Sequence, residues 1–208
     1  MVGGLEARAG RLAEALSGLP RLAVAFSGGL DSRFLCHMAL AAGCDVVALH
    51  GAGPHVPAEE SAAAQAWARA RGLRCLGFVH DPLALPEVEA NSRQRCYACK
   101  RALIDAMRGA LAAADEEGRA LCDGGNADDL KAFRPGLRAV AEAGVRSPLA
   151  EAGLSKADIR ELARATGLDR PDQPARRRTD DRTHNDQCRT HPQHRSRREP
   201  ELEINLRT

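Results

Sequence analysis

The chain has 208 residues, 44% of them hydrophobic, which suits one domain of ordinary size or a domain with a tail; aromatics are only 3%, so Ala, Leu and Val must fill the core. No apolar run approaches the roughly 20 residues of a membrane span, and residues 1–18 lack the basic start, apolar middle and small-residue end of a signal peptide, so no membrane partner and a cytoplasmic location are expected. The formal charge of +2 lies entirely in residues 169–208, where ten Arg stand against eight acidic residues, and the neutral remainder argues against a nucleic-acid partner.

Leu5, Leu12 and Leu16 share one face of a predicted helix over 4–18, which Gly18 and Pro20 end. Leu22-Ala23-Val24-Ala25-Phe26 reads as a buried strand that runs through Ser27-Gly28-Gly29-Leu30-Asp31-Ser32 into a helix over 32–42, with Gly43 as its C-cap. A second strand over 45–50 is expected to break at Gly51-Ala52-Gly53-Pro54. An alanine-rich helix over 57–71 carries Trp67 as a core residue, and 74–79 reads as a third strand. Residues 80–95 are polar and proline-marked, a loop or short helix at the rim of a site. Arg95-Cys96-Tyr97-Ala98-Cys99-Lys100 and a helix as far as Ala114 come next. Ala120-Leu121-Cys122 is a short fourth strand, 135–143 is helical, 145–149 reads as a last strand, and Ser155 caps a helix reaching Thr166, with Asp158 as its N3 acid. Strands alternating with helices predict right-handed βαβ units, hence an α/β fold with a Rossmann-like parallel sheet and flanking helices. The body is expected over 1–168. Residues 171–208 hold only five apolar side chains (Ala175, Cys188, Leu202, Ile204, Leu206) without periodicity, so a disordered C-terminal tail is expected from 169 on.

Strand, glycine turn and helix start is a geometry that holds a phosphate. Amides of the turn and first helical turn point one way, the helix dipole adds positive charge, and Gly28 and Gly29 admit an anion without a Cβ in its path. Ala25, Phe26, Ser27, Gly28, Gly29, Asp31 and Ser32 are therefore candidate nucleotide contacts, with Asp31 and Ser32 as candidate catalytic residues. Asp31 repels a phosphate unless a cation lies between them, which makes it a candidate Mg²⁺ ligand for a nucleoside triphosphate. The plain alternative, a tight turn with an N-cap, leaves the flanking strand and helix unexplained. No Gly-Lys-Ser/Thr follows, so this is not a Walker A loop. Such a loop lies at the carboxyl ends of parallel strands, where open α/β sheets bind ligands. Asp123, Gly124, Asn126, Asp128 and Asp129 after the fourth strand fit the same site, a polar turn with caps being the alternative. His50 ends the second strand and is a further nucleotide-site candidate, although it and His37 also read as packing residues. The seven cysteines read mostly as small core residues. Cys96 and Cys99 have zinc spacing without a convincing second ligand pair, and structural or substrate-lining thiols and metal or redox use both stay open.

The Ser-Gly-Gly-x-Asp-Ser loop resembles the PP-loop of the ATP pyrophosphatases (adenine nucleotide alpha hydrolase-like), which split ATP between its α and β phosphates. Asn91-Ser92-Arg93-Gln94-Arg95-Cys96-Tyr97-Ala98-Cys99-Lys100 looks like the Asn-x-x-x-Arg-Cys-Tyr-x-Cys-Lys signature of the LarE-type family. Asp123-Gly124-Gly125-Asn126-Ala127-Asp128-Asp129 is similar to that family's Asp-Gly-Thr-Asn-Ala-Asp-Asp, with Gly125 in place of Thr. Arg134-Pro135-Gly136, Val145-Arg146-Ser147-Pro148-Leu149 and Glu151-Ala152-Gly153-Leu154 continue in order, so the resemblance covers about residues 5–175.

That family comprises the pyridinium-3,5-bisthiocarboxylic acid mononucleotide synthases, sulfur-inserting enzymes of nickel-pincer cofactor assembly. The resemblance implies ATP and Mg²⁺, adenylation of a pyridinium carboxylate with release of pyrophosphate, then sulfur transfer to a thiocarboxylate. It implies a small-molecule carboxylate partner, substrate contacts from Arg95, Cys96, Tyr97, Cys99, Lys100, Asp128, Arg134 and Arg146, and assembly into homo-oligomers. Solvated charge is the plain alternative for the arginines and Lys100. Competing functional readings are another PP-loop adenylating enzyme (a tRNA thiolase or amide-forming ligase) and a nucleotide-binding pseudoenzyme; the neutral body weighs against tRNA.

The chain departs from the family after Asp172-Gln173-Pro174-Ala175. Where the family continues into Cys-Leu-x-Ser-Arg, whose cysteine is the sulfur donor, this sequence runs into Arg176-Arg177-Arg178-Thr179-Asp180, and Cys188 stands in an unrelated context. A frame change in the gene or a degenerate terminus would account for the switch. The expectation is retained nucleotide binding and adenylation without efficient sulfur transfer.

Overall fold

A computed structural model describes residues 2–54, 56–131 and 135–173. Four strands, β1 (Arg21–Ala25), β2 (Asp45–Ala52), β3 (Arg74–Val79) and β4 (Ala120–Cys122), form one wholly parallel sheet in the order β3-β2-β1-β4. Alternation along the strands builds two cores. Leu22 and Val24 of β1 with Val46 and Ala48 of β2 face one side, where α1 (Val2–Ser17), α2 (Leu30–Ala41), α3 (Ala58–Ala70), α7 (Pro148–Glu151) and α8 (Lys156–Ala165) supply Leu12, Leu16, Phe34, Leu35, Trp67, Leu149 and Ile159. Ala23, Val47, Leu49 and Leu121 face the other side, under Ile104, Met107 and Leu111 of α5 (Arg95–Ala112) and Val140 of α6 (Pro135–Glu142). Each fully buried aliphatic side chain contributes about 1.5–3 kcal/mol. Among the described residues no helix is long and apolar enough to cross a membrane.

The parallel α/β sheet is the one the sequence pattern predicts; several local features differ. β2 does not break at Gly51 but runs on to Ala52, pairing Gly51 with Phe78 and Ala52 with Val79. A Cβ on Gly51 would stand 3.0 Å from the Phe78 ring, so the glycine lets that ring lie across the strand. Residues 145–149 do not form a strand. Arg146 makes one isolated bridge to Cys122, and Pro148, which has no N–H to give a ladder, starts α7 instead. Residues 80–95 form a 3₁₀ turn (Pro82–Ala84) and the short α4 (Pro86–Glu89), and α5 begins at Arg95, so the Arg95–Lys100 motif is the start of a helix. At α8, Ser155 Oγ accepts from the Asp158 N–H and Asp158 Oδ2 accepts from the Ser155 N–H, the capping box expected. Arg8 of α1 donates to Asp158 Oδ1 at 2.8 Å and ties that helix start to α1.

The amino ends of all four strands are laced by charge. Glu116 accepts from Arg119 Nε at 2.5 Å, from Arg21 at 3.2 Å and from Arg74; Arg119, just before β4, donates to Asp45 Oδ2 at 2.7 Å. The hydrogen bond from Arg119 comes first among the causes that hold the Glu116 and Asp45 carboxyls below their usual range. Arg146 does the same for Glu151. An unfolded chain therefore takes up protons before the folded one as pH falls. Stability should be level above about pH 5 and decline from about pH 4.5 downward, until the folded-state carboxyls are protonated. Melting temperatures measured from pH 7 to pH 3 should show this, with a shallower acid decline in Glu116→Gln; an identical decline in that variant would remove the brace from the explanation.

Candidate functional site

The strand order places the site. The chain winds outward from β1 through β2 to β3, then returns to set β4 on the other flank of β1, so the loops after β1 and β4 diverge at the carboxyl edge of the sheet. A crevice at such a switch point is where open α/β sheets bind ligands.

The first loop is Phe26–Gly29. The Phe26 N–H still donates to Leu49 O at 2.8 Å, and the chain turns away at Gly28, whose φ of 73° is left-handed. Gly29 caps α2 without a side chain, leaving this helix end open to an anion. Ser27 Oγ accepts from the Gly29 N–H at 3.2 Å and lies 3.3 Å from Ser32 Oγ, which in turn donates to Gly29 O at 3.1 Å. The Arg33 N–H to Gly29 O bond at 3.0 Å closes the first helical turn, so the Leu30, Asp31 and Ser32 amides precede the first intrahelical donor.

The second loop meets the first. A Cβ on Gly124 would stand 3.1 Å from the Ser32 nitrogen and 3.3 Å from the Asp31 carbonyl carbon, so a side chain here would push the two backbones apart by a few tenths of an ångström. Asp123 Oδ1 accepts from the Gly125 N–H at 3.0 Å and from Ser147 Oγ at 2.7 Å. Buried Asn126 donates from Nδ2 to Asp31 Oδ2 at 3.3 Å, and its Oδ1 accepts from the Asp128 N–H at 3.0 Å. Asp128 Oδ2 accepts from the Lys156 N–H at 2.9 Å.

Lys156 is the residue that sequence reasoning missed. It is the first residue of α8, and its Nζ donates to Asp31 Oδ1 at 2.5 Å, across 125 positions of sequence. The available signal was a lysine directly after the Ser155 cap; nothing local tied it to Asp31. Asp31 thus stands at the N-terminus of α2 between an ammonium and an amide. The site combines the open amides of a helix start, two hydroxyls, one carboxylate and one ammonium. Those groups fit a triphosphate, with Asp31 able to share a Mg²⁺ that the phosphates carry. Among the described residues no group of three or more His, Cys, Asp or Glu could hold a metal ion by itself.

Ala25 ends β1 half-buried beside the loop. His50 is buried: its Nδ1 lies 2.9 Å from Phe26 O, so that nitrogen carries the proton and steadies the backbone just before the loop, while Nε2 has no hydrogen-bond partner among the described residues. Arg95, Cys96, Tyr97, Cys99 and Lys100 form a second group on the first turns of α5. Tyr97 Oη donates to Glu142 at 2.6 Å under Arg138, 4.3 Å from its ring, and Cys99 Sγ lies 3.9 Å from His80 Nε2. Neither Cys96 nor Cys99 is in a disulfide among the described residues. Arg146 is already paired with Glu151 in two hydrogen bonds of 2.8 and 2.5 Å, and its backbone O accepts from the Asp123 N–H. Arg134 lies outside the described residues. Burial pushes the Cys36, Cys44 and Cys75 thiols up, and that of Cys122 to about 12, which suits inert core thiols.

No family model matches the chain. An uncharacterized protein of Synechocystis sp. is 36% identical over 174 residues, 82% of this chain and 64% of the relative. The pyridinium-3,5-bisthiocarboxylic acid mononucleotide synthase of Lactiplantibacillus plantarum is 35% identical over 166 residues, 79% of this chain and 59% of the relative. The chain spans about three fifths of the length of these curated relatives. Among solved structures, NMN synthetase from Francisella tularensis superposes with a TM-score of 0.60 at 17% identity, covering 79% of this chain and 71% of that one. A glutamine-dependent NAD+ synthetase from Acinetobacter baumannii, in complex with ADP, gives a TM-score of 0.54 at 18% identity, over 77% of this chain and 32% of that one. With its loop, its strand order and these likenesses in agreement, the chain belongs to the PP-loop ATP pyrophosphatase superfamily and is a homologue of its LarE-type members.

Proposed function

We propose that this chain binds ATP with its β and γ phosphates against Ser27–Ser32 and adenylates a small-molecule carboxylate, a pyridinium carboxylate mononucleotide by kinship with the Lactiplantibacillus enzyme. The observation that carries this is the meeting of the two loops at Asp31. Open amides of α2, the hydroxyls of Ser27 and Ser32, and the Lys156 ammonium converge on one place at the switch point. The ADP bound to a fold neighbour supports an adenine nucleotide as the occupant.

In the proposed step a carboxylate oxygen of the substrate attacks the α-phosphorus, the bond from that phosphorus to the α–β bridging oxygen breaks, and pyrophosphate leaves with the electron pair. Fixed N–H donors at Leu30, Asp31 and Ser32 meet the negative charge that builds on the leaving group without reorganising. Lys156 can turn from Asp31 onto a phosphate oxygen, and Asp31 is then free to share Mg²⁺, which would supply Lewis-acid neutralisation of the phosphates. Conversion of the adenylate to a thiocarboxylate requires a sulfur nucleophile at the acyl carbon, with AMP leaving. The sequence after Ala175 lacks the family's donor segment, so for this chain the proposal ends at the adenylate.

The test is incubation of the full chain with ATP, Mg²⁺ and the pyridinium dicarboxylate mononucleotide. Pyrophosphate should appear only with both substrates present, and thiolated product only when sulfide is added. ATP binding without pyrophosphate release would reduce the chain to a nucleotide-binding protein; failure to bind ATP would remove the site itself.

A further inference from the structure

Asp169 is where the body of the fold is pinned beneath the phosphate loop. Its Oδ1 accepts from Trp67 Nε1 at 2.7 Å and from Arg71 at 2.8 Å. Its Oδ2 and its backbone O each accept from Arg33 Nη1 at 3.1 Å, and Arg33 Nη2 donates to Arg170 O at 3.1 Å. Three elements are therefore joined at one carboxylate: α2 through Arg33, α3 through Trp67 and Arg71, and the segment that follows α8. Burial works against the charge of Asp169, but the Trp67 N–H and the two guanidinium groups outweigh it and hold the carboxyl below its usual range.

Two of these contacts lead straight to the phosphate loop. Trp67 stacks on Phe26, ring centroids 5.6 Å apart and planes 27° from parallel, and Phe26 is the residue before Ser27. Arg33 is the residue after Ser32; its N–H closes the first turn onto Gly29 O, and its side chain is only 1% exposed. The guanidinium carbons of Arg33 and Arg71 lie 5.7 and 5.1 Å from the centre of the Trp67 ring. The indole is thus held by a hydrogen bond at its edge, two cations over its ring system and the Phe26 stack. Arg71 Nη1 also lies 3.4 Å from His37 Nδ1, and His37 Nε2 lies 3.1 Å from Thr166 O, so His37 in its Nε2–H tautomer links α2, α3 and the end of α8.

We propose that Asp169 is a positioning residue for nucleotide binding, holding the phosphate loop at both its ends, through Trp67 and Phe26 on one side and through Arg33 on the other. It rests on the assignment of ATP to Ser27–Ser32. A loop whose amides must meet phosphate oxygens loses affinity when it is displaced by a fraction of an ångström, because hydrogen bonds weaken steeply with geometry. A carboxylate that merely stapled the fold would change stability and leave the affinity alone.

Trp67 is the only tryptophan of the chain, which makes it a reporter of its own contacts. The experiment measures three quantities on the full chain: Mg·ATP affinity by calorimetry, Trp67 emission during the same titration, and melting temperature. Wild type should bind ATP with a change in Trp67 emission. Asp169→Ala should bind about tenfold more weakly, with a red-shifted emission before ATP is added. Glu116→Gln, which cuts the brace at the opposite end of the sheet, should lower the melting temperature yet keep the affinity within about twofold of wild type. Where Asp169→Ala does not fold, Trp67→Phe decides: it keeps a ring against Phe26, deletes the N–H that Asp169 accepts, and should weaken binding about threefold. Unchanged affinity in the deciding variant overturns the proposal, as does binding by wild type with no change in emission. Failure of wild type to bind ATP at all fells the nucleotide assignment itself, and the positioning role with it.

Discussion

Asp31→Asn should bring substrate-dependent pyrophosphate release down by about two to three orders of magnitude, the scale seen when a group stabilising transition-state charge is removed. The amide matches the carboxylate in shape, but its single oxygen can accept from only one of the two donors, Lys156 Nζ and Asn126 Nδ2, that now stand 2.5 and 3.3 Å from the two Asp31 oxygens. What disappears is the charge proposed to share a cation with the phosphates. The affinity for ATP without Mg²⁺ should not fall, because a negative group beside the phosphates has gone and the Lys156 ammonium is released to them. The expected signature is therefore a split: metal-free ATP binding equal or tighter, turnover nearly lost. Wild-type turnover in Asp31→Asn would remove Asp31 from the chemistry, and weakened metal-free binding would show that it serves the loop's structure instead.

Lys156→Gln should raise the ATP concentration needed for half-maximal turnover by about tenfold, and lower the maximal rate by a further factor of about ten to a hundred. Glutamine keeps hydrogen-bonding capacity at that position and loses the charge. The fold has no reason to suffer. The start of α8 is held by the Ser155–Asp158 capping box and by the Lys156 main-chain N–H on Asp128, neither of which uses the Lys156 side chain. A melting temperature close to wild type with weakened ATP use is the expected pair of results. An unchanged dependence on ATP would mean that Lys156 does no more than neutralise Asp31 before the nucleotide arrives.

Much of the architecture is legible along the chain because it is local. Apolar runs of four to eight residues broken by glycine and proline mark β1 to β3, and Ser155 with Asp158 announces α8. The phosphate loop is legible for the same reason: Gly28, Gly29 and Asp31 lie in one short stretch between a strand and a helix, and their conformations follow from backbone sterics and a helix end. Two local expectations failed on neighbours. Gly51 looked like a breaker, but beside Phe78 it is the residue that lets β2 continue. Val145–Leu149 has strand character, but Pro148 cannot donate to a ladder and opens a helix.

The partners of the loop could not be read this way. Lys156 and Asp31 are 125 positions apart, Trp67 and Asp169 are 102 apart, and no period or motif links them. A salt bridge between distant residues depends on which helices share a face of the sheet and on how far each side chain reaches, and both are outcomes of packing rather than of pattern. So the stretch from Ser27 to Ser32 shows by its own chemistry a turn of the kind proposed to bind an anion, since glycine freedom and a helix terminus need no distant help. That its aspartate faces a lysine, and that both its ends are pinned to Asp169, was settled only when α2, α3 and α8 closed over one side of the sheet.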